Sequence, residues 1–150
     1  VGLFVNATSE EVKAVLAEAP VALLQFHGDE TPDFCRQFKR PFVKAVRVKP
    51  GVDLLQDAQD YHDAKALLLD AYVEGLHGGS GAVFDWSLIP RGLPLPVILS
   101  GGLTPENVME AIRRVRPDAV DVSSGVESSK GVKDAQKIAA FIKGARSGDS

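Results

Sequence analysis

The sequence is poor in cysteine and has no long apolar run. Both absences limit the classes of protein to which the chain can belong. Cys35 is the only cysteine among 150 residues, so the chain cannot form an internal disulfide. A chain without disulfides fits a reducing compartment, and we expect a cytoplasmic protein. No apolar run reaches the roughly 18 residues that a membrane span needs, so we expect no membrane partner.

Positive charge is not in excess either. The chain has 17 Lys and Arg residues against 20 Asp and Glu residues, a formal net charge of -3, and no basic cluster alternates with aromatic residues. This balance argues against a nucleic-acid partner and favours a small molecule. No pair of histidines has the spacing of a metal motif, so we expect no metal site.

What the sequence does contain is enough apolar material for one domain. Hydrophobic residues make up 45% and charged residues 25% of the chain, which is typical of a globular protein. We expect a single domain over residues 1–146 and a frayed tail over 147–150. Short apolar runs predict strands at 2–5, 21–26, 42–48, 66–69, 95–99 and 119–122. Helical periodicity predicts helices at 10–19 behind an N-cap at Ser9, and at 53–64, 105–114 and 134–145.

This alternation of strands and helices predicts an α/β fold with a parallel sheet covered by helices. A barrel and a doubly wound open sheet both satisfy it. Nearly every strand ends in polar or glycine residues, which favours the barrel, because a barrel gathers all its strand ends around one mouth. A (β/α)8 TIM barrel has eight strands, and only six are predicted, so we expect an incomplete barrel.

The apolar run Leu67-Leu68-Leu69 ends in a lone carboxylate, Asp70. Such a position predicts a general acid at the tip of a buried strand, because apolar surroundings favour the protonated form of a carboxyl group. The alternative is a helix N-cap or a surface carboxylate. His27 also follows a predicted strand, and it either contacts the substrate or satisfies a hydrogen bond at the strand end. Cys35 falls in a predicted helix, where we expect a packed thiol.

Two later glycine-containing loops indicate a phosphate site. Ser100 is followed by two glycines, a Thr104 N-cap and Pro105 at the first helical position, and the next strand is followed by two serines and a glycine. In barrels the loops after the last two strands often hold phosphate; the alternative is an ordinary tight turn. The predicted phosphate ligands are Gly101, Gly102, Ser123, Ser124 and Gly125.

A further glycine loop comprises Gly78, Gly79, Ser80 and Gly81. It begins like a dinucleotide fingerprint, but Phe84 stands where the third glycine belongs, so we exclude a nicotinamide site. We expect this loop to be a mobile lid over the substrate, with a plain flexible loop as the alternative.

Taken together, these motifs resemble phosphoribosylanthranilate isomerase of tryptophan biosynthesis. The segments that carry the resemblance are residues 23–30, 68–70, 78–81, 84–86, 100–103 and 120–127. The resemblance implies a TIM barrel that performs an Amadori rearrangement of a phosphorylated sugar substrate without a cofactor. It also implies that Asp70 protonates the ribose ring oxygen, that the two loops hold the phosphate, that Asp121 lies near the reacting amine, and that His27 lines the site.

The resemblance also implies two segments that the sequence does not contain. Enzymes of this type begin with a strand reading Lys-Ile-Cys-Gly, whose cysteine is the general base, and carry an arginine after the second strand. We therefore expect a chain that lacks the first two βα units, has no turnover alone, and associates with itself or with a complementary N-terminal segment. The alternatives are a non-catalytic barrel fragment that binds sugar phosphates, or another phosphate-binding TIM-barrel epimerase or synthase.

Overall fold

The computed structural model describes residues 1–71 and 85–149. The strands of the main sheet are β1 (Gly2–Phe4), β2 (Leu24–Phe26), β3 (Phe42–Arg47), β4 (Ala66–Asp70), β5 (Val97–Ser100) and β6 (Ala119–Val120). The α-helices are α1 (Ser9–Glu18), α2 (Pro32–Arg36), α3 (Leu54–Asp60), α4 (Val108–Val115) and α5 (Ala135–Gly148). Short 3-10 helices span Trp86–Leu88 and Ser124–Val126, and a small hairpin joins β7 (Glu127–Ser129) to β8 (Val132–Lys133).

The six strands lie side by side in the order in which they occur along the chain, and all neighbouring pairs are parallel. This order has no reversal point, which a doubly wound sheet requires. The predicted α/β class and parallel sheet are therefore confirmed, with the strand order of a barrel wall. Within the described residues β1 and β6 are not paired with each other, so these strands do not form a closed barrel.

Apolar side chains cover both faces of the central strands. On one face Leu67, Leu69 and Leu99 are fully buried against the helices. On the other face a smaller cluster contains Ala45 and Leu68. A strand buried on both faces reads as a continuous apolar run, which explains why β4 was visible in the sequence.

The structure corrects the start of two helices. Thr8, and not Ser9, caps α1: its hydroxyl accepts a hydrogen bond from the Glu11 amide, and the Glu11 carboxylate accepts one from the Thr8 amide. Because this capping box satisfies two amides at once, the helix begins one residue earlier. Helix α4 begins at Val108, and not at Pro105, because the Asn107 side chain accepts from the Thr104 amide and holds residues 104–107 in a turn.

Helix α5 extends beyond its predicted end at residue 145. It continues to Gly148, which packs against Ile112 of α4, so residues 147 and 148 belong to the helix and not to a tail. The hairpin of β7 and β8 was not predicted, because its strands are short and polar. None of the helices in the described part of the chain is long and apolar enough to cross a membrane.

Candidate functional site

Polar side chains from three neighbouring strands form a row at the carboxyl edge of the sheet. Arg47 of β3 pairs with Asp70 of β4, and Asp70 pairs with Ser100 of β5. Since paired residues of neighbouring strands point to the same face, these three side chains lie side by side. The row continues to Asp121, whose carboxylate accepts a hydrogen bond from the Ser100 hydroxyl at 3.1 Å.

A cavity of about 610 Å³ opens at the carboxyl ends of β1 to β4. Its polar lining includes Asn6, His27, Lys44, Arg47, Asp57 and Asp70. This is the edge at which parallel α/β sheets bind their ligands. The volume lies in the range of small-molecule sites.

His27 and Asp70 face each other in this cavity. His27 Nε2 lies 3.9 Å from Asp70 Oδ2, and both side chains are partly exposed, 33% and 24% respectively. Gln25 Nε2 lies 3.2 Å from His27 Nδ1. Because an amide nitrogen only donates, Gln25 is placed to donate to His27 Nδ1. The structure thus brings these two predicted site residues together in one cavity.

Burial changes the titration of two side chains on the α3 side of the cavity. It raises the pKa of the Tyr61 phenol to about 12. Burial is also the largest cause that raises the pKa of Asp57, followed by the nearby carboxylates of Asp60 and Asp53. Both shifts favour the neutral form.

The two predicted phosphate loops pack directly against each other. Gly101 and Gly102 adopt left-handed backbone angles, with φ of 86° and 63°, which glycine adopts without strain. Asn107 Nδ2 donates to the Gly102 carbonyl at 3.0 Å and fixes that loop. In the second loop a Cβ on Gly125 would lie 1.8 Å from the Leu103 carbonyl oxygen. Only a glycine allows this approach, so the loops form one unit.

Lys133 of the small hairpin supports the second loop. Its Nζ donates to the Ser123 carbonyl at 2.9 Å and lies 2.7 Å from Glu127 Oε1. The hydrogen bond from Lys133 is the largest cause that lowers the pKa of the Glu127 carboxyl. The hairpin thus anchors the backbone at Ser123.

Comparison with known proteins identifies the family. The family described as N-(5'phosphoribosyl)anthranilate (PRA) isomerase matches residues 1–144. The Nitrosomonas eutropha N-(5'-phosphoribosyl)anthranilate isomerase is 60% identical over 147 residues, which cover 98% of this chain and 71% of that protein. The chain belongs to the N-(5'-phosphoribosyl)anthranilate isomerase family.

Solved structures of N-(5'-phosphoribosyl)anthranilate isomerases agree with this fold. The Thermotoga maritima enzyme is 42% identical, has a TM-score of 0.82 and aligns over 97% of this chain and 71% of its own. A second structure, 40% identical with a TM-score of 0.77, aligns over 97% of this chain and 70% of its own. That enzyme is in complex with reduced 1-(o-carboxyphenylamino)-1-deoxyribulose 5-phosphate. The predicted family is confirmed, and so is the prediction of an isomerase of tryptophan biosynthesis.

Two further predictions concern the glycine loop and the lone cysteine. The predicted lid residues, Gly78, Gly79, Ser80 and Gly81, lie outside the described residues. Cys35 is fully buried in α2, and burial raises the pKa of its thiol to about 12, so the prediction of a packed thiol is confirmed. Within residues 1–71 and 85–149, no group of three or more His, Cys, Asp or Glu side chains is placed to hold a metal ion.

The sequence alone predicted no role for several residues around the cavity at the carboxyl ends of β1 to β4. Lys44 lies between apolar residues in strand β3, and this position is a signal that could have marked it. Glu30 lies in the segment that resembles the family, but its burial could not be read from the sequence. Tyr61 reaches the site from the end of α3 by a hydrogen bond of 2.6 Å from its hydroxyl to the Glu30 carbonyl.

Proposed function

We propose that Asp70 is the general acid of an Amadori rearrangement at this site. The reaction converts N-(5'-phosphoribosyl)anthranilate into 1-(2-carboxyphenylamino)-1-deoxyribulose 5-phosphate. The observation that carries the proposal is the position of Asp70: it ends the central strand β4, lines the cavity and faces His27 at 3.9 Å. The complex of the related isomerase with a reduced 1-(o-carboxyphenylamino)-1-deoxyribulose 5-phosphate supports the choice of ligand.

The chemistry requires a proton donor near the ribose ring oxygen. Protonation of this oxygen by Asp70 allows the bond between it and C1 to break, while the nitrogen lone pair forms the Schiff base. Loss of the proton at C2 then gives an enolamine, which becomes the ketone when C1 is protonated. The atoms balance without an oxidant, reductant or cofactor. The hydrogen removed from C2 is replaced by one at C1, and the proton given to the ring oxygen is offset by the one that leaves the C2 hydroxyl as the ketone forms.

The two packed loops are the proposed phosphate site. Backbone amides of Gly101, Gly102 and Gly125 would donate to phosphate oxygens, since glycines allow close approach of a ligand to the backbone. The hydroxyls of Ser123 and Ser124 would add further donors. Support comes from the close packing of Gly125 on Leu103, which keeps the donors of both loops near one another.

The row of polar side chains supports roles for the remaining residues. Asp121 is linked through Ser100 to the position beside Asp70, which favours a contact with the substrate amine. His27 would line the site opposite Asp70. We further assign the protein to the cytoplasm, on its lone cysteine.

The test is Asp70→Asn in the whole protein to which this sequence belongs, with conversion of N-(5'-phosphoribosyl)anthranilate followed by chromatography. Asparagine preserves the shape but cannot donate the carboxyl proton, so kcat/KM should fall by about 10²- to 10⁴-fold. Affinity for inorganic phosphate, measured by calorimetry, should not change. Asp33→Asn is the matched control, because the Asp33 side chain is 98% exposed on α2 and its replacement should leave the rate unaltered. A rate for Asp70→Asn within about threefold of the unmodified protein would reject the acid role.

A further inference from the structure

A buried ion pair lies in the wall of the cavity, which Lys44 lines. Glu30 and Lys44 are only 6% and 4% exposed, and Glu30 Oε1 lies 3.6 Å from Lys44 Nζ. Lys44 pairs with Leu67 in the sheet, so its side chain leaves β3 on the helix-covered face. Burying two charges is costly, and such a pair adds little net stability compared with apolar residues. Its presence therefore needs another physical reason.

The pair holds the backbone of Gly28 from both sides. Glu30 Oε1 accepts a hydrogen bond from the Gly28 amide at 2.8 Å, and Lys44 Nζ donates to the Gly28 carbonyl at 2.6 Å. Both peptide groups of Gly28 are thus fixed by charged partners, whose hydrogen bonds are stronger than neutral ones. The residue before Gly28 is His27, which faces Asp70 in the cavity.

The same pair connects the loops after β1 and β2 with helix α3. The second carboxylate oxygen of Glu30 accepts from the Asn6 amide at 2.8 Å. Gly28 packs so closely on Asn6 that an added Cβ would lie 2.4 Å from Asn6 Oδ1. On the other side, Lys44 Nζ lies 5.7 Å from the centre of the Tyr61 ring. Movement of the pair would therefore move the loop that carries His27.

We propose that Glu30 and Lys44 are positioning residues, which hold His27 in place against Asp70 by fixing both peptide groups of Gly28. This inference rests on the proposed roles of His27 and Asp70. Neither Glu30 nor Lys44 needs to touch the substrate. Loss of the Lys44 hydrogen bond releases the Gly28 carbonyl, and a displacement of about 1 Å at a reacting group can lower a rate about 100-fold.

The test is a double-mutant cycle of Lys44→Met and His27→Gln in the whole protein to which this sequence belongs, with kcat and KM measured for each variant. We expect Lys44→Met alone to lower kcat about 10- to 100-fold with a smaller change in KM. In the His27→Gln background the same replacement should lower kcat less than about threefold, because the residue being positioned is already gone. Lys44→Arg, which retains a donor and the charge, should recover part of the loss.

Two further proteins separate positioning from loss of stability. The double variant Glu30→Gln, Lys44→Met removes both charges, so no unpaired ion is buried. If the single variant Lys44→Met does not fold, this double variant replaces it in the cycle. Arg36→Met removes the ion pair with Asp63 at 2.8 Å and the hydrogen bond to the Asp60 carbonyl. This variant weakens the contact between α2 and the end of α3 at a place away from Gly28, so kcat should not change.

Each outcome of the cycle decides the proposal. A loss from Lys44→Met that shrinks in the His27→Gln background supports it. A different result overturns the positioning role: His27→Gln is itself impaired, and Lys44→Met lowers kcat by the same factor in that background as in the unmodified protein. This result leaves the proposed function intact. If His27→Gln is as active as the unmodified protein, the proposed role of His27 fails, and the positioning role fails with it.

Discussion

The close contact between Gly125 and Leu103 gives the sharpest prediction about the phosphate site. Gly125→Ala adds one methyl group, whose carbon would lie 1.8 Å from the Leu103 carbonyl oxygen and 2.9 Å from its carbonyl carbon. Both atoms belong to the backbone, so no side-chain rotation relieves the overlap. The loops after β5 and β6 must therefore move apart.

The size of the movement follows from this distance. Ordinary contacts between non-bonded heavy atoms lie near ~3.5 Å, so the loops must separate by more than about 1 Å. Overpacking of this kind costs about 1–3 kcal/mol of folding free energy. If both loops bind one phosphate group, a 1 Å displacement should also weaken its binding, and KM should rise by about tenfold or more.

The assay is a titration of inorganic phosphate followed by calorimetry, together with KM for N-(5'-phosphoribosyl)anthranilate. Gly92→Ala is the matched control: Gly92 has φ of 75° and no atom within 4 Å of an added Cβ. That replacement should cost about 1–2 kcal/mol through its left-handed backbone without changing the affinity for phosphate. A folded Gly125→Ala protein that binds phosphate as tightly as the unmodified protein would refute the assignment of these loops.

Two further predictions concern the core. Phe26 is fully buried among four phenylalanine rings at centroid distances of 5.9–6.1 Å, so Phe26→Ala should lower the free energy of unfolding by about 3–5 kcal/mol; urea denaturation showing a loss below about 1 kcal/mol would contradict this packing. Burial raises the pKa of Cys35 from 9.0 to about 12, so the thiol stabilises the fold in full below pH 9.0 and progressively less as the pH rises toward 12. Cys35→Ala should flatten that part of the stability profile, and iodoacetamide at pH 8 should alkylate Cys35 only after denaturation.

The sequence predicted the order and type of the main elements because their signals are local. The apolar run of β4 is nearly continuous, and Asp53 and Asp134 are side-chain caps at the helix starts where periodicity indicated them. The polar residues at the strand ends were also visible. Since parallel strands place their carboxyl ends at one edge, the grouping of His27 with Asp70 could be predicted.

What the sequence could not supply are contacts set by the packing of distant segments. Nothing near Glu30 indicates that its carboxylate meets Lys44, 14 positions further along the chain. The start of α4 was misplaced because Thr104-Pro105 is an ordinary helix start. The Asn107 side chain instead bonds backward to Thr104 and Gly102, and this competition between side chain and helix is not visible in the pattern.

The pairing of each strand with its neighbours in the chain also determines where the sheet unfolds locally first. The ladder between β3 and β4 is the longest, and the ladder between β5 and β6 is the shortest. In such a nearest-neighbour arrangement, fraying begins at the short outer ladders, and amide hydrogens of the middle strands exchange last. Asp70 ends β4 and thus belongs to the part of the sheet that we expect to unfold last. The proposed acid therefore lies where the backbone is expected to move least.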